Sequence, residues 1–470
     1  MNPKKMAIIG GGFTGIMTIT HLVENIDSPI EILLFDKIKA IRGIAYNPYS
    51  EKHLLNVAAG KMSAYPTQPD DFVNWVMEQK GYEAQDKTFI QTAFLTRSLY
   101  GRYLENIWKQ TQQKAKLKNI LISMVDSYVT DLDVTDNGIS LTTENNREFH
   151  SDYCVIATGN HIPRNPPIEN SDFYRSRNYF QNPWRPESVK EVDQEFPVLI
   201  IGNGLTMVDT VFGLLENEFE GNIFSISPNG FNILPHQSTH LTYSGLTEEL
   251  TENPTLREIL SLVKRHIKIL CDKGISAIPV IDSLRPLTPK IWEALTEKEK
   301  HVFMRRLRHL WGVARHRLPM ESYDKIQSLR KEKLHIISGK IINFTESEGY
   351  VVVEYFDKKE SRLDTLKVSR VINCTGPESD LLRLNQSFLK KCLEKEILYQ
   401  DKLKLGIRTD TETFQIIRPN GNPHSNLFTL GTNLKGELWE STAVPELRVQ
   451  TQKLAETIYK LMQDKPLFVM

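Results

Sequence analysis

Residues 6–36 read MAIIGGGFTGIMTITHLVENIDSPIEILLFD. An apolar run from Met6 to Ile9 ends at Gly10-x-Gly12-x-x-Gly15, and Ile16, Ile19, Leu22 and Val23 then recur at helical spacing. A second apolar run, IEILLF, ends at Asp36. This order constrains the fold more than any other feature of the chain. A buried strand, a glycine turn, a helix and a second strand make a βαβ unit, and each glycine has its own task. Gly10 permits the tight turn, Gly12 lets the backbone approach a pyrophosphate, and Gly15 brings helix and strand close. The helix N-terminus offers N–H groups and a partial positive charge to phosphates. A carboxylate about 20 residues past the last glycine, here Asp36, can accept from ribose hydroxyls. Phe13 and Thr14, beside the glycines, complete the candidate dinucleotide-binding set of this turn.

A chain of 470 residues should hold two or three domains and bury a sizeable core. Lysine plus arginine equals aspartate plus glutamate at 58 each, so no global charge invites nucleic acid or an acidic membrane. Cys154, Cys271, Cys374 and Cys392 form no C-x-x-C pair. That argues against a redox disulfide, a zinc ribbon or an extracellular disulfide framework, and no metal site is expected. No apolar run approaches the length of a membrane span. Two lysines precede Met6 as in a signal peptide, but the apolar stretch ends at Ile9, which reads as a strand; a cytoplasmic location is expected.

The stretch after Asp36 is long and irregular, RGIAYNPYSEKHLLNVAAGKMSAYPTQPDDFVNW, instead of a short helical crossover. Later, SDYCVIATGNHIP supplies an apolar strand ending in Ala157-Thr158-Gly159, after an alternating stretch that reads as a small β-meander. The same order then recurs. VLIIGNGLTMVDTVFGLL parallels the first fingerprint through Gly202 and Gly204, and a second alternating stretch leads to Thr375-Gly376. A repeat on this scale is domain duplication. Near the end, Gly431-Thr432-Asn433 forms a turn before a last helix carrying Leu447, Leu454, Ile458 and Leu461 on one stripe. Pro445 fits its first turn, and Val444 cannot cap it by its side chain. Two readings of that helix end stay open: a donor site for a flavin carbonyl, or an ordinary solvent-capped terminus.

The blocks GIAYNPYSEKHLLNVAAGKMSAYP, LTRSLYGRYL, VLIIGNGLTMVD, DSLRPLTPKIW, LRHLWGVARHR and GELWESTAVPELRVQ resemble a bacterial FAD/NAD(P)-binding flavoprotein family. That family is related to flavin-containing monooxygenases and to ornithine and lysine N-hydroxylases. The resemblance implies an α/β fold with two Rossmann-like dinucleotide-binding domains, the second nested in the first, plus a helical insertion. The expected boundaries are 1–166 and 371–470 for an FAD-binding domain, 190–240 and 336–370 for an NAD(P)-binding-like domain, and 241–335 for the insertion. It further implies FAD as cofactor, reduction by NADPH or NADH, and a small-molecule substrate, in some relatives with oxygen chemistry. The Baeyer–Villiger signature F-x-G-x-x-x-H is absent; NYFQNPWRPE stands in its place.

Several positions carry two readings. Met207 replaces the third glycine of the second fingerprint, and the next strand ends in Ser227-Pro228-Asn229, with neither an acid for a ribose nor an arginine for a 2′-phosphate. Either a nicotinamide nucleotide binds at Gly202, Gly204 and Thr206, with Asp209 nearby, or the duplicated unit has kept its fold and lost its ligand. The segment Asn56 to Ser63, including Met62, is the candidate isoalloxazine wall. Lys61 within it is either a donor to the site or a surface lysine. Arg305, Arg308, His309, Arg315 and His316, with Trp311 adjacent, fall on one face of the last helical stretch of the insertion. That face either clamps an anion or is solvated and balanced by EKEK. The expected function is an FAD-dependent NAD(P)H oxidoreductase, extending to an N-hydroxylase-like monooxygenase. The alternative is a non-catalytic FAD-holding protein that binds a partner or small ligand through the insertion.

Overall fold

The computed structural model describes residues 3–37, 41–135, 137–237, 241–385 and 387–463. The expected C-terminal limit at 470 lies outside them. The chain begins with β1 (Lys4–Ile9), α1 (Phe13–Asn25), β2 (Ile30–Phe35), α2 (Asp71–Met77), α3 (Lys87–Thr92), α4 (Arg97–Leu117) and β3 (Leu121–Val125). The strands β4 (Val129–Thr135), β5 (Gly138–Thr143) and β6 (Glu148–Ser151) precede β7 (Tyr153–Ile156). Next come β8 (Tyr179–Phe180), β9 (Val198–Ile201), α5 (Leu205–Glu216) and β10 (Ile223–Ser227). Then the chain turns helical: α6 (Gly245–Glu249), α7 (Leu256–Cys271), α8 (Ile278–Leu284), α9 (Thr288–Ala294), α10 (Glu297–Arg306), α11 (Arg308–Arg315) and α12 (Met320–Glu332). Beyond these helices it forms β11 (Leu334–Ser347), β12 (Tyr350–Asp357), β13 (Arg362–Val368), β14 (Arg370–Asn373) and α13 (Phe388–Glu394). It closes with β15 (Gln415–Ile417), β16 (Pro423–Thr429), α14 (Lys435–Leu438) and α15 (Val444–Gln463).

These strands make two principal sheets. The first runs β15-β16-β7-β1-β2-β3, and the second β13-β12-β11-β10-β9-β14-β8; β4, β5 and β6 form a small third sheet. In both large sheets the central pairs are parallel: β1 lies between β2 and β7, and β9 between β10 and β14. Strands covered on both faces have no solvent side, so they read as unbroken apolar runs, as MAII and VLII do. Helices α1 and α15 pack together against the first sheet, with Ile16, Ile19, Leu22, Leu454 and Ile458 in one core with Met6 and Ile8. Each such side chain contributes about 1.5–3 kcal/mol on burial. The meander of the first unit (β4–β6) has its counterpart in β11–β13, where β11 continues past its parallel pairing with β10 into an antiparallel ladder with β12.

Two boundaries differ from expectation. Strand β14 pairs with β9, so residues 371–373 belong to the second sheet and not to the first unit. The pair Tyr179–Phe180 joins the same sheet through β14, placing a stretch left between domains inside the second unit. Backbone pairing is satisfied only when the apolar strand before Thr375-Gly376 lies beside β9, as β7 lies beside β1.

Candidate functional site

Gly10 sits at φ +113°, and a Cβ there would stand 2.3 Å from the Ala157 carbonyl oxygen. A Cβ on Gly15 would stand 1.9 Å from the Gly10 carbonyl oxygen, so only glycine lets α1 lie this close to β1. Gly12 is different. Its φ is −77°, an added Cβ would meet only Gly43 Cα at 3.7 Å, and no side chain caps α1. The first-turn N–H groups of α1 therefore have neither an intrahelical partner nor a cap, which is the arrangement an anion needs. Gly11 N–H donates to Asp36 Oδ2 at 2.6 Å, tying the acid at the end of β2 to the turn.

Tertiary structure brings the other end of the chain to this turn. Gly431, at φ +72°, stands against Thr14, whose Cγ2 would lie 3.2 Å from an added Cβ. Gly431 is held by Gln450 Oε1, which accepts from its N–H at 2.9 Å, and by Ser441 Oγ, which donates to its carbonyl at 2.6 Å. Asn433 Nδ2 donates to Thr158 Oγ1 at 3.4 Å, linking this loop to the Thr158-Gly159 end of β7. Thr432 Oγ1 is buried and has no hydrogen-bond partner among the described residues; the same holds for Arg448 Nε. Buried polar atoms normally have partners. An uncapped helix start, a turn that excludes any Cβ, and an orphaned hydroxyl from the loop facing it together fit FAD.

The second turn repeats the first with one change. Gly202 sits at φ +105°, with an added Cβ 2.5 Å from the Cys374 carbonyl oxygen, matching Gly10 over Ala157. Gly204 leaves open space within 4 Å, and α5 has no side-chain cap. Met207 does carry a Cβ, so α5 stands further from Gly202 than α1 does from Gly10. Its side chain fills the core beneath α5, and Ser225 Oγ donates to the Gly202 carbonyl at 3.0 Å. Thr206, in the first turn of α5, is half-buried. At the end of β10, Lys358 Nζ donates to the Pro228 carbonyl, which places a cation beside the position where the sequence offers none.

The two units meet at α5. Arg97 Nη2 donates to Asp209 Oδ2 at 3.1 Å, with both side chains largely buried. His53, fully buried, approaches the Asp209 carbonyl through Nε2 at 3.0 Å, and burial, opposed by Asp209, pushes its pKa down. The Tyr49 ring lies where a side chain on Gly213 would be, 2.6 Å from that Cβ, and burial raises its hydroxyl pKa well above the usual range. A cavity of about 10 Å³ lies here, lined among others by Asn56, Arg97, Leu205 and Asp209. Asp209 thus fastens one unit to the other; it does not face a nucleotide loop.

Within the segment 56–63, several side chains are committed to the fold. Met62 lies in the core beneath α4, and Ser63 Oγ donates to Gln68 O at 2.6 Å, so both side chains are spent on the fold. Asn56 O meets His236 Nε2 at 3.0 Å. Lys61 is exposed, and burial of its amine, reinforced by Arg285, holds its pKa below the usual lysine value. Phe13 also lies in that core, and Pro445 stands in the first turn of α15, whose start is held by the Ala443 carbonyl. The basic face expected on the insertion is not one face. A break at Leu307 separates α10 from α11, and Arg315 turns inward toward Glu440 (3.8 Å) and Glu446 (4.0 Å), while Arg305, Arg308 and His309 remain exposed. Residues that the sequence did not single out are Gly43, which closes on Gly12, together with Arg448, Glu446, Gln450 and Lys358. Gly43 at φ +61° had a signal in its own glycine; the others are brought in from remote chain.

Two parallel sheets, each with a glycine turn opening onto an uncapped helix, define the fold of the two-dinucleotide-domain flavoproteins. Residues 7–161 match the family model described as FAD-NAD(P)-binding. Among curated proteins, YdhS, an uncharacterized protein of Escherichia coli, is 26% identical over 220 residues, covering 45% of this chain and 39% of its own. The flavin-containing monooxygenase ustF1 of Aspergillus flavus is 26% identical over 238 residues, covering 48% and 54%. The chain thus spans well under two thirds of either relative. Ornithine hydroxylase (PvdA) from Pseudomonas aeruginosa superimposes with a TM-score of 0.67 at 13% identity over 98% of this chain and 100% of that one. L-lysine 6-monooxygenase from Pseudomonas syringae gives 0.65 at 14% over 97% and 99%. These likenesses establish the fold. No helix among the described residues is long and apolar enough to cross a membrane.

Proposed function

We propose that the protein is an FAD-dependent NAD(P)H oxidoreductase that acts on a small molecule, in the manner of the N-hydroxylating monooxygenases whose fold it shares. The observation that carries this is the duplicated cradle: Gly10 over Ala157 with Gly12 open, and Gly202 over Cys374 with Gly204 open. A unit that had only kept its shape would have no need to leave α5 uncapped.

When bound, FAD would supply the two-electron chemistry, taking hydride from the nicotinamide and passing electrons to oxygen. The chain's own residues bind and orient. The first turn of α1 holds the pyrophosphate, Asp36 serves the ribose, and Thr14, Thr158, Gly159, Gly431 and Thr432 close around the cofactor from three separate stretches. The start of α15, where Pro445 lacks an N–H and Val444 no side-chain cap, presents its dipole to the flavin end. The first turn of α5 holds the second pyrophosphate, and Lys358 favours the 2′-phosphate of NADPH. The Arg97–Asp209 pair keeps the two cradles in fixed relation.

The test is to purify the protein, measure its flavin, and mix it anaerobically with NADPH or NADH. A yellow protein bleached by NADPH supports the proposal. A yellow protein that neither nucleotide bleaches refutes it and supports the alternative, FAD held without turnover.

A further inference from the structure

At the end of the first sheet away from its glycine turn, four stretches of chain border a cavity of about 410 Å³ that opens to solvent. Its lining includes Thr135 at the end of β4, Glu396 and Ile397 just past α13, Arg418 in the turn between β15 and β16, and His424 near the start of β16. Strand β16 runs parallel to β7, with Thr429 beside Ile156, so Thr158, Gly159 and Gly431 lie past the opposite ends of these strands. At about 3.3 Å per residue, roughly 16 Å of strand separates His424 from Thr429. The cavity therefore stands apart from the first cradle, and none of its residues belongs to the second.

Three groups at this cavity are left without partners. His424 is 4% exposed. Its Nε2 lies 2.7 Å from the Ile397 carbonyl, which can only accept, so Nε2 carries the proton. Burial lowers the His424 pKa against that hydrogen bond, and the neighbouring Arg418 charge lowers it further. The ring is neutral, and Nδ1 is a buried acceptor with no hydrogen-bond partner among the described residues. Arg418 Nε is likewise buried and unpartnered, and no hydrogen bond or ion pair to the described residues holds the rest of its guanidinium. Glu396 takes the left-handed position that closes α13, at φ +56°, where glycine is the usual residue. The cation next to it in sequence, Lys395, is spent on Asp131 (2.7 Å) and Asp133 (2.8 Å). A cation, an anion and a neutral acceptor thus line one cavity without pairing with one another.

We propose that this cavity binds a small zwitterion, its carboxylate on Arg418 and its ammonium between Glu396 and His424 Nδ1. Each end is assigned by what the residues can offer. A guanidinium has donors alone, and its fork matches a planar carboxylate. Glu396 and a neutral Nδ1 can only accept, and an ammonium has three N–H groups to give. A simple anion would leave Nδ1 orphaned, and a simple amine would leave Arg418 unpaired. Arg418 Nε and His424 Nδ1 are shielded from bulk water, so solvent satisfies neither. Rotation of the Arg418 side chain, which no polar contact restrains, opens both to a ligand. The volume also lies within the range of about 300–1,000 Å³ common to small-molecule sites. The site is independent of the flavin reading.

The experiment titrates the purified full chain by calorimetry with glycine, β-alanine and 4-aminobutyrate, recording the flavin spectrum alongside. Propionate, propylamine and glycine betaine, which has both charges but no N–H, are the comparisons. The titrations are repeated on Arg418→Gln and Glu396→Gln, both outside the hydrophobic core, after their melting temperatures have been measured. At least one of the three amino acids is expected to saturate a single site without altering the flavin spectrum. It should bind tenfold or more weakly to R418Q and to E396Q, and the three comparison compounds should bind the unaltered chain at least tenfold more weakly than it does. Failure of all three amino acids to bind overturns the proposal. So does propionate, propylamine or betaine binding as tightly, or unchanged affinity in either variant. An amino acid that shifts the flavin spectrum and binds R418Q as tightly sits at the cofactor, which also overturns it. If one variant melts too early to titrate, the other decides. Calorimetry needs no flavin, so a colourless protein or one that resists NADPH defeats the functional reading and leaves this test intact.

Discussion

Gly204→Ser separates stability from function by sign. Gly204 lies at φ −104° and ψ −168°, extended backbone that any residue adopts, and an added Cβ meets nothing within 4 Å. A serine there stands at the N-cap of α5, where its hydroxyl can accept from the N–H of Thr206; the Met207 N–H already donates to the Gly204 carbonyl at 3.0 Å. Serine caps better than glycine by a few tenths of a kcal/mol, and replacing glycine at a compatible position adds about 0.4–1 kcal/mol through the unfolded chain. Folding is therefore expected to gain about 1 kcal/mol. That same N–H is one of those assigned to the second pyrophosphate. A charge-assisted bond lost costs about 1.5–3 kcal/mol. Its loss raises the KM for NADPH by roughly tenfold or more, since 1.4 kcal/mol is a factor of ten. The assays are chemical denaturation, flavin content after gel filtration, and stopped-flow bleaching by NADPH without oxygen. The expected variant is yellow, slightly more stable and slower to bleach at low NADPH. An unchanged KM would refute the assignment of α5 to a nucleotide, and lost flavin would mean that the two cradles had been assigned the wrong way round.

The first cradle has its own test: Gly12→Val, at an open position, should leave the fold intact and yield colourless protein, and full flavin content in that variant would contradict the phosphate assignment. Asp209→Asn should destabilise by about 3 kcal/mol, because it leaves the largely buried Arg97 guanidinium uncompensated. Combined with Arg97→Met, the loss should be smaller than the sum of the two single changes; strict additivity in urea titrations would show that the pair does not couple the units. Lys358→Glu should raise the KM for NADPH roughly tenfold, about 1.5 kcal/mol, and leave NADH unaffected; equal effects on both nucleotides would remove Lys358 from the 2′-phosphate. Stability should also fall in acid. Burial lowers the pKa of His161 and of His236 from 6.5 to about 4, so between those values the unfolded chain binds more protons than the folded one. Stability is full above pH 6.5 and is lost as pH falls toward 4, by at most about 1.4 kcal/mol per pH unit for each histidine. Replacing either by Gln should flatten that slope, and an unchanged slope would count against its burial.

What could be read from the chain itself was whatever is local. Gly10, Gly12 and Gly15 sit within six residues, and their demands on φ and close approach follow from having no Cβ. The duplication was legible for the same reason, because Gly202 and Gly204 obey the same local geometry before an apolar helix. The capping boxes of Thr255 with Glu258 on α7 and Thr296 with Glu299 on α10 are equally local, and the structure is what identifies them as helix starts. The expectation of one basic face failed at Leu307, because periodicity across a helical stretch says nothing of a break that packing imposes.

Tertiary structure decided everything that depends on charges meeting across the chain. Asp209 looked like part of a nucleotide motif until Arg97, more than a hundred residues earlier, was seen to hold it. Lys358 arrives beside Pro228 from the turn of a distant meander. Arg285, Arg315 and Glu446 assemble from three segments that share no spacing. Backbone conformation is fixed by near neighbours along the chain, and a sequence carries those directly. Electrostatic complementarity depends on distance in space, which only the folded chain sets.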